Sequence, residues 1–126
     1  MKRFLAVPLM TLAAISFQAS AACLYITNQY GGTMAPNAVI TAYGPFTITG
    51  ANGCAKANIT ASVSISGRGV APKLYIDQQQ GSGWVQVAGD TGNNVSYLGP
   101  FGTYRVRQVN NDAVSKVYSG STNYGR

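Results

Sequence analysis

An all-β fold, a single antiparallel β-sandwich of about seven to nine short strands, is what this sequence predicts, and three observations carry the expectation. The stretch Lys56–Ser66 alternates strictly, with Ala57, Ile59, Ala61, Val63 and Ile65 at odd positions and Lys, Asn, Thr and Ser at even ones. An extended chain turns all of those apolar side chains to one face, whereas a helix scatters them around its circumference. At about 3.3 Å per residue the strand runs roughly 36 Å, and it suits the middle of a sheet with core on one side and water on the other. The rest of the chain breaks into short apolar runs separated by Gly, Pro and Asn clusters. Past the first twenty or so residues no segment shows a helical apolar period of useful length, and many short strands without helices mean a sandwich or a small barrel.

Taken in order, the chain begins with Lys2 and Arg3, an apolar run from Phe4 to Phe17, and Ala19-Ser20-Ala21. A positive start, a short apolar stretch and a small-x-small site are the marks of a secretory signal. The run is shorter than the ~20 residues of an anchoring helix, and no later stretch approaches that length, so no transmembrane segment is expected. A lipoprotein signal is the competing reading, because Cys23 stands where an acylated cysteine would; Ser20 in place of leucine three residues earlier ranks it second. The expected organisation is a signal peptide over 1–21, a sandwich domain over 22–119 and a flexible polar tail over 120–126. The short Lys-Arg start and Ala-Ser-Ala site look bacterial and place the protein outside the cytoplasm, secreted, periplasmic or at the cell surface. The sequons Asn58-Ile-Thr60 and Asn94-Val-Ser96 therefore carry little weight.

Beyond residue 21, seven basic residues (Lys56, Arg68, Lys73, Arg105, Arg107, Lys116, Arg126) face three acidic ones, a net of +4. They are spread along the chain, which fits a solvated surface better than a nucleic-acid stripe. The missing residue types say more. There is no histidine and no glutamate, and the only carboxylates are Asp77, Asp90 and Asp112. The usual general base, metal ligand and nucleophile activator are thus absent, and no cofactor is implied. Asp90 and Asp112 sit in Gly/Asn-rich sequence where aspartate serves as a turn former. An enzyme is not expected.

Cys23 and Cys54 are the only cysteines, and export would take them to an oxidising compartment. One structural disulfide follows, closing a loop of about 32 residues and stabilising the fold by roughly 3–4 kcal/mol in the chain-entropy model. Parity puts Cys54 on the polar face of the central strand, so either a bulge near Ala55 re-aims it or the bridge lies at the rim of the sheet.

The remaining strands are expected at Leu24–Tyr30, ended by Gly31-Gly32, at Asn37–Tyr43, closed by Gly44-Pro45, and in a short piece at Phe46–Thr49. After the central strand come Lys73–Asp77, Trp84–Val87, Val95–Leu98, Thr103–Val109 and Val114–Tyr118, with the tail from Ser119 frayed. The expected core holds Ile59, Val63, Ile65, Leu74, Ile76, Val85, Val87, Tyr104 and Val106.

Leu98-Gly-Pro100-Phe-Gly102-Thr-Tyr104-Arg-Val106 resembles the E–F corner of a fibronectin type III domain. Leu74-Tyr-Ile-Asp77, a Gly-rich turn and Trp84-Val-Gln-Val87 resemble the C and C′ strands of that immunoglobulin-like sandwich. The resemblance covers about residues 73–119. It implies for Tyr104 the tyrosine-corner role, its hydroxyl bonded to upstream backbone and its ring packed inward. The chain departs from the family in lacking the early tryptophan in its central strand, in Gln108 where an apolar residue is usual, and in the Cys23–Cys54 pair.

Two function classes remain. The first is a secreted, non-catalytic interaction or structural module, such as a surface, matrix, appendage or virion-like assembly or adhesion subunit. The second is a soluble ligand-binding, glycan-binding or inhibitor domain with an exposed aromatic face. If Leu74, Ile76, Val85 and Val87 face the core, Tyr75 and Trp84 face outward on adjacent strands, a platform for a sugar ring or a protein. A covered or rim-packed pair is the plainer alternative. Arg105 and Arg107 share the face opposite Tyr104 and Val106, where they contact an acidic partner or stand solvated. A protein or glycan partner, self-association included, is expected, and nucleic acid is not. Strand exchange between chains needs an unpaired N-terminal extension, which Cys23 works against.

Overall fold

In a computed structural model, which describes residues 23–89 and 92–126, eight strands form two four-stranded antiparallel sheets. The first sheet has the order β1 (Tyr25–Met34), β8 (Lys116–Gly125), β3 (Ala57–Ile65), β6 (Asn94–Gly99). The second has the order β2 (Val39–Ile48), β7 (Gly102–Val109), β4 (Lys73–Gln80), β5 (Gly83–Gly89). The expected signal segment and Asp90 lie outside the described residues.

The alternating stretch forms β3, an interior strand between β8 and β6. Ala57, Ile59, Ala61 and Val63 are buried and Thr60 and Ser64 exposed, as a two-sided strand requires. The other sheet answers with Leu74 and Ile76 from β4, Tyr104 and Val106 from β7, and Phe46 and Ile48 from β2. Aromatic rings fill the middle of the sandwich. Phe46 stacks on Tyr124 with centroids 4.3 Å apart, and the Tyr43 and Tyr124 hydroxyls meet at 3.1 Å. Burial raises the Tyr104 and Tyr124 phenols to about 12, with Tyr97 adding to the effect on the first and Tyr43 on the second. The Tyr104 ring is fully buried and its hydroxyl donates to the Pro100 carbonyl.

Several elements differ from the sequence expectation. Gly31 and Gly32 do not end β1, which runs to Met34 without a register shift against β8. The two pieces expected on either side of Gly44-Pro45 are one strand, β2, with a cis Gly44–Pro45 bond and two shifts of register against β7. Residues 120–126 are not a free tail. β8 extends to Gly125 with β1 on one side and β3 on the other. Its inward alternation, Tyr118, Gly120, Thr122, Tyr124, is hidden in sequence by a glycine and a threonine. Gly120 is required there, because a Cβ would lie 2.5 Å from the Ser62 carbonyl and 2.6 Å from the Tyr30 ring. Val85, expected in the core, is 44% exposed, since it sits on edge strand β5 near the hairpin turn, where the facing sheet no longer covers it. Ile65, at the end of β3, is only half-buried, and Val87 packs half-buried against the core.

Cys23 and Cys54 are joined. The bridge links the chain entering β1 to the chain entering β3, across the end of β8, which places it at the rim of the first sheet. Gly125 lies against it, where a Cβ would stand 2.5 Å from Cys23 Sγ. At the opposite end a buried polar group gathers. Asn110 Nδ2 donates to the carbonyls of Ala35 and Val114, and Lys116 Nζ to Asp112 at 2.8 Å. Gln108, fully buried, donates to Met34 Sδ, but its Oε1 has no hydrogen-bond partner among the described residues.

Candidate functional site

Chemistry concentrates on the outer face of the second sheet. On β4 the inward alternation of Leu74 and Ile76 turns Tyr75, Asp77 and Gln79 outward. On β7 the inward Tyr104, Val106 and Gln108 leave Arg105 and Arg107 on that same outer face. The register sets Arg105 opposite Asp77 and Arg107 opposite Tyr75, while Trp84 and Gln86 of β5 stand opposite Gln79 and Asp77. Cross-strand and diagonal neighbours at this spacing are within reach of long side chains.

The result is a closed network. Asp77 Oδ2 accepts from Nε of both Arg105 and Arg107, each at 2.9 Å, and Oδ1 accepts from Arg107 Nη2 at 3.2 Å. Arg107 Nη2 also donates to Gln86 Oε1 at 3.0 Å. The Arg105 guanidinium carbon lies 4.5 Å above the Trp84 ring, and that of Arg107 lies 4.4 Å above the Tyr75 ring. Asp77 is 2% exposed, yet the side chains of its two arginines keep 25% and 22% of their surface. A buried carboxylate thus holds two guanidinium groups flat on two aromatic rings. A guanidinium carries five N–H donors and stacks well on aromatic faces, so the pair stays a forked donor surface after Asp77 has taken its share.

The Tyr75/Trp84 pair and the Arg105/Arg107 pair, both candidates for a binding face in the sequence, are therefore neighbours. Trp84 and Tyr75 do face outward and are half-buried, but their covers are the arginines themselves. The arginines are not simply solvated: each guanidinium lies over one of the two rings. Asp77 is the residue sequence reasoning missed. It shares the parity of Tyr75 on β4, and that parity becomes informative only once β4 is known to lie beside β7.

The other carboxylates are remote from this face or outside the described residues. Asp112 sits in the β7–β8 connection, where hydrogen bonds from Lys116 and from the Ala113 N–H hold its carboxyl below the usual range. Among the described residues no cluster of three or more His, Cys, Asp or Glu is placed to hold a metal, and no helix is long and apolar enough to cross a membrane. A wide, shallow depression of about 560 Å³ lies on the outer face of the first sheet, over Thr60, Ser62, Ser121, Asn123 and Asn94. It is lined by no charged or aromatic side chain. Its hydroxyls bond one another across strands, Ser62 to Ser121 at 3.4 Å, so the arginine–aromatic face remains the better candidate.

No family model matches the chain, and no curated protein matches it either.

Proposed function

We propose that the protein is a secreted, non-catalytic interaction module that meets a partner's carboxylate groups through the outer face of its second sheet. The observation behind this reading is the fixing of Arg105 and Arg107 on Trp84 and Tyr75 by buried Asp77. Arginine donors held in place lose little side-chain freedom on binding, and so favour an anionic group over water. Binding through such a half-exposed, positively charged face is salt-sensitive and serves specificity and encounter rate more than raw affinity. The absence of histidine and glutamate supports the non-catalytic half of the reading. The disulfide supports export to an oxidising compartment, as does the signal-like start.

A relation to fibronectin type III domains is supported by the pairing of β4 with both β5 and β7 and by the Tyr104–Pro100 bond. One feature weighs against it. In the immunoglobulin-like arrangement the strand after F lies beside F, whereas here β2 takes the place beside β7 and β8 crosses to the first sheet.

The test is an NMR titration of the disulfide-bonded protein with a glutamate-rich peptide and, separately, with a neutral oligosaccharide. The Trp84 indole and the Arg105 and Arg107 Nε signals are expected to shift with the peptide, and the shifts to fade at high salt. Shifts confined to the oligosaccharide would favour the glycan-binding alternative. Peptide-induced shifts located elsewhere would contradict the proposed face.

A further inference from the structure

The four edge strands of the sandwich are not equally protected. β2 is broken by Gly44-Pro45 and by two register shifts, β5 carries an irregularity opposite Ile76/Asp77, and β6 is only 6 residues long. Bulges, prolines and short length are the devices that keep a sheet edge from pairing with another chain. β1 has none of them. It runs 10 residues from Tyr25 to Met34, in unbroken register with β8, without a charged residue or a proline.

The register also says which groups of β1 are on offer. Leu24 and Arg126 exchange both backbone bonds, Leu24 N–H to the Arg126 carbonyl at 3.3 Å and the reverse at 2.7 Å. In an antiparallel ladder such pairs alternate with pairs that make none. Even-numbered residues of β1 therefore point N–H and C=O at β8, while Tyr25, Thr27, Gln29, Gly31 and Thr33 point theirs away. Among the described residues β1 pairs only with β8.

We infer that this edge is where a second copy of the chain adds on, β1 against β1 in antiparallel fashion, to give one continuous eight-stranded sheet. The occupant is argued from charge. A protein with a net positive charge meets its own copy most readily through surface that carries none, and the sequence has no charged residue from Cys23 to Ala55. The outward side chains next to the edge are also neutral, Thr27, Gln29 and Thr33 on β1 and Ser119, Ser121 and Asn123 on β8. Of the basic residues, Lys73, Arg105 and Arg107 lie on the other sheet, Lys116 at the start of β8 is buried and paired with Asp112, and Arg126 stands opposite Leu24, just outside the five free residues of β1. A twofold axis makes the contact self-complementary and closed. The register that uses all five free residues sets Gln29 opposite its copy, Thr27 opposite Gly31 and Tyr25 opposite Thr33.

Gln29→Pro separates this contact from the fold, because the Gln29 N–H points away from β8 and its loss breaks no bond within the subunit. Sedimentation of the disulfide-bonded protein at increasing concentration, with amide hydrogen exchange, reads the result. The wild type is expected to approach twice the monomer mass, with the amides of Tyr25, Thr27, Gly31 and Thr33 protected. Gln29→Pro is expected to stay monomeric, with those amides exchanging freely and β8 still protected. Should Gln29→Pro fail to fold, Thr27→Lys, which places two like charges at the contact, gives the same reading. A monomer at every concentration overturns the inference, whether its edge amides are free or covered by a different protein's strand. A dimer that survives in the folded variant overturns it too.

Discussion

Replacing Asp77 by alanine is the sharpest perturbation of the arginine–aromatic face. The change removes three charge-assisted hydrogen bonds, two to Oδ2 at 2.9 Å and one to Oδ1 at 3.2 Å, and leaves two positive charges without their shared counter-ion. Breaking a buried ion pair by deleting one partner costs about 3–5 kcal/mol. Both arginine side chains keep roughly a quarter of their surface in water, so they can turn outward and recover part of that, and the expected cost falls to about 2–3 kcal/mol. For a domain of about 100 residues this lowers Tm by about 10–20 °C. Urea denaturation of the disulfide-intact protein, followed by the fluorescence of its single tryptophan, measures the loss directly. Removing a stranded charge in the same background, Asp77→Ala with Arg107→Gln, should recover about 1 kcal/mol or more in a double-mutant cycle. A loss below about 0.5 kcal/mol for Asp77→Ala would place the network among ordinary surface ion pairs and refute the argument.

Gln108→Leu removes a buried carbonyl oxygen that has no partner among the described residues, and should raise stability by about 1 kcal/mol in urea melts, where an unchanged or lower midpoint would count against the assignment. Alkaline titration should unfold the protein cooperatively. The Tyr104 and Tyr124 phenols are raised to about 12 in the fold, so their contribution is intact below the unfolded value near 10 and is lost as pH climbs from there through 12. Circular dichroism that stays flat to pH 12.5 or so would contradict that burial. Intact mass before and after reduction should show a two-hydrogen difference for Cys23–Cys54. Reduction should also cost about 3–4 kcal/mol for a loop of this length, and free thiols or a covalent dimer would oppose it.

The sheet class and most of the core were legible because burial imposes a period of two. Parity marks Ile59, Val63, Leu74, Ile76 and Val106 as inward, the resemblance to a tyrosine corner marks Tyr104, and all six are buried. Parity fails where glycine and threonine carry the inward positions. That is why residues 119–125 read as a polar tail although they form most of an interior strand. It also fails at sheet edges, where an inward residue such as Val85 has no facing layer to cover it. The candidate site was half legible. Tyr75, Trp84, Arg105 and Arg107 were visible as outward residues on three strands, but their union depends on which strands are neighbours, which no local pattern reports. Asp77 looked like one spare carboxylate among three, and its role exists only through the β4–β7 pairing.

The claim that the outer face of the second sheet is a binding surface is tested most directly by comparing Trp84→Ala with the core control Ile76→Ala. The measurement is urea stability together with affinity for the glutamate-rich peptide. Trp84 is half-buried beneath Arg105, so its truncation should cost about 1 kcal/mol of stability, well under the ~2–5 kcal/mol expected at fully buried Ile76. With its aromatic support gone, Arg105 should lose its fixed pose, and peptide affinity should fall at least tenfold while the fold persists. Equal stability losses in the two variants, or undiminished peptide binding by folded Trp84→Ala, would contradict the account.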